Sequence, residues 1–490
     1  MFWRPLLVAL LLSFPAGAQP TPVQSAAAPD CTVDGSLAQD GGLKLEIIYR
    51  CRSDQALTFQ GESNLVVSKV LSFRDGSGAS QPIAPGGWRV ESVKGIIEAR
   101  YAFDLSGYAR AVDSPSNAVL RGEGVISLLS GWLLEPFGYT HLPVIDIRMT
   151  TAPGFVFASG LPRVGDAWRL AGVNIRLAGY SVLGRLDLTD LAVPLPGSLR
   201  PGEKRGEGVL RLAMLDGFSA QQRVALLDWV KRTAEAESNY WQGFTAKQML
   251  VVLVPVTSRR GIGYGRTVPG GGPTVMIEVG ADIDARRLFG DWVLVHELIH
   301  TGMAFIRGRS TWFMEGAATY VEPIIRARAG WKTEEEVWRE WVTDMPQGVA
   351  AFARGLGEAS GRENYWGGAL FMLLADVEIR RATEGAKGLE DCLGGALWSG
   401  LDGSQRITID AYAAACDRAT GTRALRGMID RYAVSARPVD LGVVWRDLGV
   451  SMVGNRIVLD DAAPDARWRK MIVMGPPGRP PKRVPLPWGP

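Results

Sequence analysis

The hydrophobic period changes once along this chain, and that change narrows the folds open to it more than any other feature. From Cys31 to about Gly202 the apolar residues come in short runs broken by Gly, Pro, Asp and Ser, as in LKLEIIYRC (43–51), GIIEARYAFDL (95–105) and VNIRLAGYSVLG (173–184). Strand side chains alternate between two faces, so these runs predict many short strands. The turn residues between them predict an antiparallel sandwich or a saddle-shaped sheet. PLPGSLRPGEKRGEG (194–208) then loses all periodicity, and a domain boundary is predicted within it.

Beyond that point the spacing turns helical. SAQQRVALLDWVKRTAEAESNYW (219–241) opens on a Ser219/Gln222 capping box and carries Val224, Leu227 and Val230 at helical intervals. QMLVVLVPV (248–256) reads as a buried strand, and the glycine-rich GIGYGRTVPGGGP (261–273) leads into a second, TVMIEV (274–279). Further helices are predicted through TWFMEGAATYVEPIIRARAG (311–330), EEEVWREWVTD (334–344), NYWGGALFMLLADVEIRRA (364–382) and ITIDAYAAACDRAT (407–420). The predicted class is α+β: a β-rich domain over 19–205, a mixed sheet-and-helix domain over 206–350 and a helical part over 351–474. The proline-rich end, residues 475–490, is predicted to be disordered.

Composition sets the compartment and excludes one class of partner. Arg4, the apolar run PLLVALLLSF (5–14) and the small residues at Ala16–Ala18 read as an export signal cleaved after Ala18. The run is far shorter than the roughly 20 residues of a membrane span, and no later segment is predicted to cross a bilayer. Four cysteines in an exported chain fit two disulfides, and their positions point to local pairs, Cys31 with Cys51 and Cys392 with Cys416. Each would contribute on the order of 3 kcal/mol by loop entropy. The 54 basic residues are balanced by 51 acidic ones with no basic block, so nucleic acid is not an expected partner.

The chemistry is concentrated in GDWVLVHELIHTGMAF (290–305), which holds two of only three histidines in the chain. At i and i+4 on a helix, His296 and His300 project from one face a turn apart, the spacing at which two imidazoles meet one metal ion. Leu294, Val295, Leu298 and Ile299 make the segment apolar enough to be buried. Two imidazoles and the Glu297 carboxylate are costly there unless something satisfies them.

A catalytic zinc takes three protein ligands and leaves a fourth position open. A third histidine six residues after His300 is excluded, since Ile306 stands there, and His141 lies far off in the strand-rich half. A carboxylate is the better candidate. Glu315 fits, separated from His300 by enough chain to end one helix, turn at RGRS (307–310) and return on the next. A plain helix-start charge is the alternative reading of Glu315.

HELIH (296–300) followed by WFMEGAATY (312–320) resembles the gluzincins, the thermolysin-like zinc metallopeptidases, and most of all the glycyl aminopeptidases and leukotriene-hydrolase-type aminopeptidases. YWGGALFMLLADVEIR (365–380) is similar to the family segment in which a tyrosine three residues before a glycine opens a long helix. The resemblance implies a thermolysin-like catalytic domain with one zinc ion on His296, His300 and Glu315. It further implies Glu297 as general base, Tyr365 as a hydroxyl donor to the oxyanion and Glu322 as support for the metal shell, acting on a peptide or protein substrate.

Aminopeptidases of that type carry a glycine-methionine-glutamate-asparagine element before the zinc helix, whose glutamate holds the substrate's free amine. This chain has GGGPTVMIEVG (270–280) there, with Glu278 further along, so terminal and internal cleavage are both open. The TVMIEV strand is a candidate to hold an extended substrate along its edge. A noncatalytic zinc-containing binding or scaffold protein of the cell envelope is the alternative from another class.

Overall fold

The structure, a computed structural model, describes residues 28–83, 86–196, 206–257, 259–476 and 478–488. The predicted export signal and its predicted cleavage point lie outside the described residues. The fold is α+β, a strand-rich first half followed by a mixed sheet and then helices. Among the described residues no helix is long and apolar enough to cross a membrane.

Alternation does in the first half what the pattern requires. Strands Cys31–Gln39 and Leu43–Arg52 bury every second residue, and their antiparallel register sets Cys31 opposite Cys51 on the buried face. The two cysteines are joined there, and Cys392 is joined to Cys416 between helices Leu389–Trp398 and Ile409–Thr420. These strands lie within an eight-stranded sheet over a core that includes Tyr49, Phe73, Trp88 and Trp132. One pairing departs from the antiparallel expectation, since Cys31–Gln39 runs parallel to Ile145–Thr151. The chain reaches that strand by a long excursion rather than a hairpin, and only a hairpin forces antiparallel pairing.

Strand Asp187–Pro194 pairs with Glu207–Met214 from Asp187↔Met214 to Pro194↔Glu207, so the strands on either side of the predicted boundary are neighbours in the second sheet. The handover between the four-stranded sheet and the second sheet falls before Asp187, at Arg185 and Leu186.

The second sheet has five strands in the order Asp187–Pro194, Glu207–Met214, Gln248–Val256, Thr274–Gly280, Ile262–Val268. The helix Ala220–Trp241 makes the crossover between the parallel strands Glu207–Met214 and Gln248–Val256. Gln248–Val256 is buried on both faces. Leu250, Val252 and Val254 meet Val119, Ile126 and Val182 of a four-stranded sheet, while Val251 and Leu253 meet the helices.

The crossover helix has the Ser219/Gln222 capping box, but Val224 is 70% exposed. The stripe that packs is Leu226, Trp229, Val230 and Thr233, so the buried face is rotated from the one predicted. Helix Glu334–Asp344 likewise starts on a capping box at Thr333 and Glu336.

The described residues of the proline-rich end form no helix or strand, which its prolines forbid, yet Val484 is buried and its carbonyl accepts a 2.8 Å hydrogen bond from Trp331 Nε1. Trp488 stacks edge-on against Phe289, and Arg479 pairs with Asp391 at 2.9 Å. Valine, leucine and tryptophan between the prolines give the segment apolar surface to bury.

Candidate metal centre

The histidine helix, Val293–Thr301, lies between two cores. Leu294 and Leu298 pack toward the five-stranded sheet, and Val295 and Ile299 toward the helical bundle. Its start is held by Asp291, whose carboxylate accepts the Val293 N–H at 2.8 Å. With the apolar stripe wedged on both sides, His296 and His300 emerge on a third side, their ring centroids 5.0 Å apart and His296 only 3% exposed.

The glutamate helix, Thr311–Ala329, brings Glu315 to that side. Its Oε2 lies 3.2 Å from His296 Nε2 and 3.6 Å from His300 Nε2, and one donor atom from each of the three residues falls within 4.8 Å of the others. Burial works to raise the Glu315 carboxyl, but hydrogen bonds from both imidazoles outweigh it and hold the group well below the usual carboxylate range. His300 feels burial downward, yet the nearby Glu315 carboxylate leaves it raised. Three ligand atoms thus surround one small space in which positive charge is stabilised. Two imidazole nitrogens and a carboxylate oxygen, with one side facing a cavity, form a donor set that suits zinc.

Glu297 points to the edge of the sheet. Thr267 Oγ1 donates to its carboxylate Oε2 at 2.8 Å and to its main-chain oxygen at 2.7 Å. Thr267 belongs to Ile262–Val268, which is the edge strand of the sheet and runs antiparallel to Thr274–Gly280. TVMIEV therefore has no free edge: it is paired on one side with Gln248–Val256 and on the other with the glycine-rich strand. A Cβ on Gly265 would sit 2.6 Å from Val293 Cγ1 and 2.7 Å from Glu297 Cγ, so the strand closes on the histidine helix only because that residue is glycine.

Tyr365 stands in the first turn of helix Arg362–Ala382, its ring 6.1 Å from that of His296. Burial, then Glu315 and Glu297, push its hydroxyl up to about 12, so it stays protonated. Its place depends on a close helix crossing: a Cβ on Gly316 would meet Gly368 Cα at 2.3 Å. Glu315 and Tyr365 are thereby fixed to one another through backbone contact.

A cavity of about 350 Å³ opens on this cluster. Its walls are residues 263–267, Trp292, Val293, Met303, Phe305, Met314 and Tyr365, with His296, Glu297, His300 and Glu315 at its base. Three other residues singled out in the sequence lie elsewhere. Glu322 is paired with Arg326 at 2.8 Å, and Arg326 holds the Gly290 carbonyl at 2.7 Å, so Glu322 bears on the head of the histidine helix rather than on an imidazole. Burial pushes Glu322 up to about 7 despite Arg326. His141 sits 3.3 Å from Asp30 at the surface. Glu278 accepts from the Tyr264 N–H at 3.3 Å and is not part of the cavity wall.

Sequence reasoning missed Gly265, Arg266, Thr267 and Asp291. Six glycines in GIGYGRTVPGGG hid a strand, because glycine removes the alternation by which strands are recognised. Asp291, two residues before the helix begins, was the one legible signal, as a capping residue.

No family model matches the sequence, and no curated protein matches it. Solved structures do. An aminopeptidase N family protein from Idiomarina loihiensis superposes with a TM-score of 0.60 at 15% identity, covering 86% of this chain and 78% of its own. An M1 zinc metallopeptidase from Deinococcus radiodurans superposes with a TM-score of 0.50 at 14% identity, covering 84% and 95%. The likeness is one of fold, and it extends across the strand-rich half, the mixed sheet and the helices.

Proposed function

We propose that this chain, sharing the fold of those two proteins, is an exported zinc-dependent metallopeptidase. His296, His300 and Glu315 are its metal ligands, Glu297 its general base and Tyr365 a hydroxyl donor. The observation that carries the reading is the meeting of two imidazoles and a carboxylate within 4.8 Å at the base of an open cavity, with Glu297 on the same wall. The zinc named for the Deinococcus protein supports the choice of metal.

When bound, zinc supplies Lewis acidity toward a water and a carbonyl oxygen. The chain's own residues do the rest. Glu297, oriented by the Thr267 hydroxyl at 2.8 Å, takes the water's proton and later delivers it to the leaving nitrogen. Tyr365 keeps its proton and donates to the carbonyl oxygen as charge builds there, a contribution on the order of 3 kcal/mol for one such donor. The outer side of Ile262–Val268 offers main-chain hydrogen bonds to an extended peptide, the role sequence analysis gave to the neighbouring strand.

The test is a mass-spectrometric profile of products from a mixed peptide library, with and without phenanthroline. Cleavage that the chelator stops and added zinc restores is the expected result; stoichiometric zinc with no cleavage of any peptide would leave a scaffold protein. Release of single N-terminal residues would assign exopeptidase activity. The two disulfides support export to the periplasm or beyond, and N-terminal sequencing of the exported chain should begin at Gln19. An intact leader on a cytoplasmic chain would count against export.

A further inference from the structure

Arg266 is the cation of the cavity wall that catalysis leaves unused. Along the edge strand Gly265 and Thr267 turn toward Glu297, so Arg266 between them turns toward the four-stranded sheet. There its Nη1 donates to the Ser116 carbonyl, which also accepts from the Tyr180 hydroxyl at 3.0 Å. A guanidinium has five N–H donors in a planar fork, and the Ser116 carbonyl and the Tyr180 hydroxyl oxygen engage only part of it. Among the described residues Arg266 forms no ion pair, whereas Arg169, Arg211, Arg326 and Arg380 each hold a carboxylate.

The carboxylates of the cavity are otherwise engaged. Glu315 is held by the two imidazoles and Glu297 by Thr267, and Glu278 lies outside the wall. A substrate's free ammonium would therefore meet an arginine and no third acid, while a carboxylate would find a fork that has no acid partner among the described residues and donors to spare.

Resting on the peptidase reading above, we propose that Arg266 is a specificity residue that selects substrates presenting a carboxylate near the scissile bond. That carboxylate comes from an aspartate or glutamate side chain or from the peptide's own C-terminus. A free N-terminal amine is not required.

The test uses matched short peptides that differ only by Asp against Asn or Glu against Gln at each position flanking the cleaved bond, N-acetylated and C-amidated. A second arm compares a free C-terminus with the amide in otherwise neutral peptides. The readout is the ratio of kcat/KM for the acidic peptide over its amide twin. A ratio of about tenfold or more is expected in the full chain at one position, collapsing toward one in Arg266→Gln and retained in Arg266→Lys. Preference in the first arm assigns the side chain, and preference in the second the terminus.

A ratio near one in both arms, a ratio unmoved by Arg266→Gln, or an absolute need for a free amine would overturn the proposal. Binding of the same peptide pairs to zinc-loaded Glu297→Gln protein, followed by calorimetry with and without Arg266→Gln, reads the preference without turnover. If the mixed library is cleaved and the acetylated peptides are not, the need for a free amine overturns the proposal and leaves the peptidase reading standing; if neither is cleaved the peptidase reading fails by itself, and binding still decides the role of Arg266. Thermal unfolding of each variant separates lost recognition from lost fold.

Discussion

Replacing Glu297 by glutamine is expected to lower kcat/KM by about 10²- to 10⁴-fold, the range that a positioned general base contributes, while zinc stays bound at one ion per chain. The substitution preserves the side chain's size and its hydrogen bond from Thr267, which needs only an acceptor oxygen. It removes the capacity to take a proton. None of the three metal donors is touched, since Glu297 is separate from the cluster of His296, His300 and Glu315. Steady-state kinetics on a cleaved library peptide, with the metal content measured by mass spectrometry on the same preparation, separate the two effects. Turnover within a factor of two of the parent would remove Glu297 as the base; loss of zinc together with activity would recast it as part of the metal shell.

The second large effect is one of stability. Arg380, fully buried in helix Arg362–Ala382, is ion-paired with Asp376 at 2.9 Å and with Glu390 at 2.7 Å. Asp376 also accepts from the Tyr320 hydroxyl at 2.9 Å and the Leu389 N–H at 2.8 Å. Arg380→Met fills much of the same volume but leaves buried Asp376 with no cation and Glu390 with only the more distant Arg328, at 3.7 Å. Breaking a buried pair from one side typically costs about 3–5 kcal/mol, because the remaining charge is stranded. Urea unfolding should show that loss as a lower midpoint at unchanged slope. The double change Arg380→Met with Asp376→Leu should cost less than the single one, and a larger cost for the double would contradict the stranded-charge account. Tyr365 starts the same helix, so activity is expected to fall with stability.

How much of this was legible in the chain depends on which physical signal each part carried. The histidine helix was readable because its period, burial and metal spacing agree: Leu294, Leu298, Val295 and Ile299 sit on the sides that pack, and His296 and His300 on the one that opens. The disulfides were readable because local pairs in two separate stretches leave few options. The edge strand was not, since residues 261–273 hold glycines where strands hold branched side chains, and those glycines are there for close approach. Val224 misled because helical spacing alone does not say which of two apolar stripes meets the sheet. At 194–208 proline and glycine break the periodicity, and such a break separates strands of one sheet as readily as it separates domains. Glu322 was found by resemblance, but a buried arginine one turn on decided its partner.

The end of the chain bears on more than itself. Val484 belongs to the helical core and Leu486 borders the sheet-side one, while Arg232 of the crossover helix reaches the Pro485 carbonyl and Trp488 covers Phe289, two residues before the cap of the histidine helix. Residues 484–488 therefore fasten the seam between the two layers that grip the metal-binding segment. A change that frees Val484 or Trp488 would therefore loosen the grip on the metal-binding helix from a point outside the cavity.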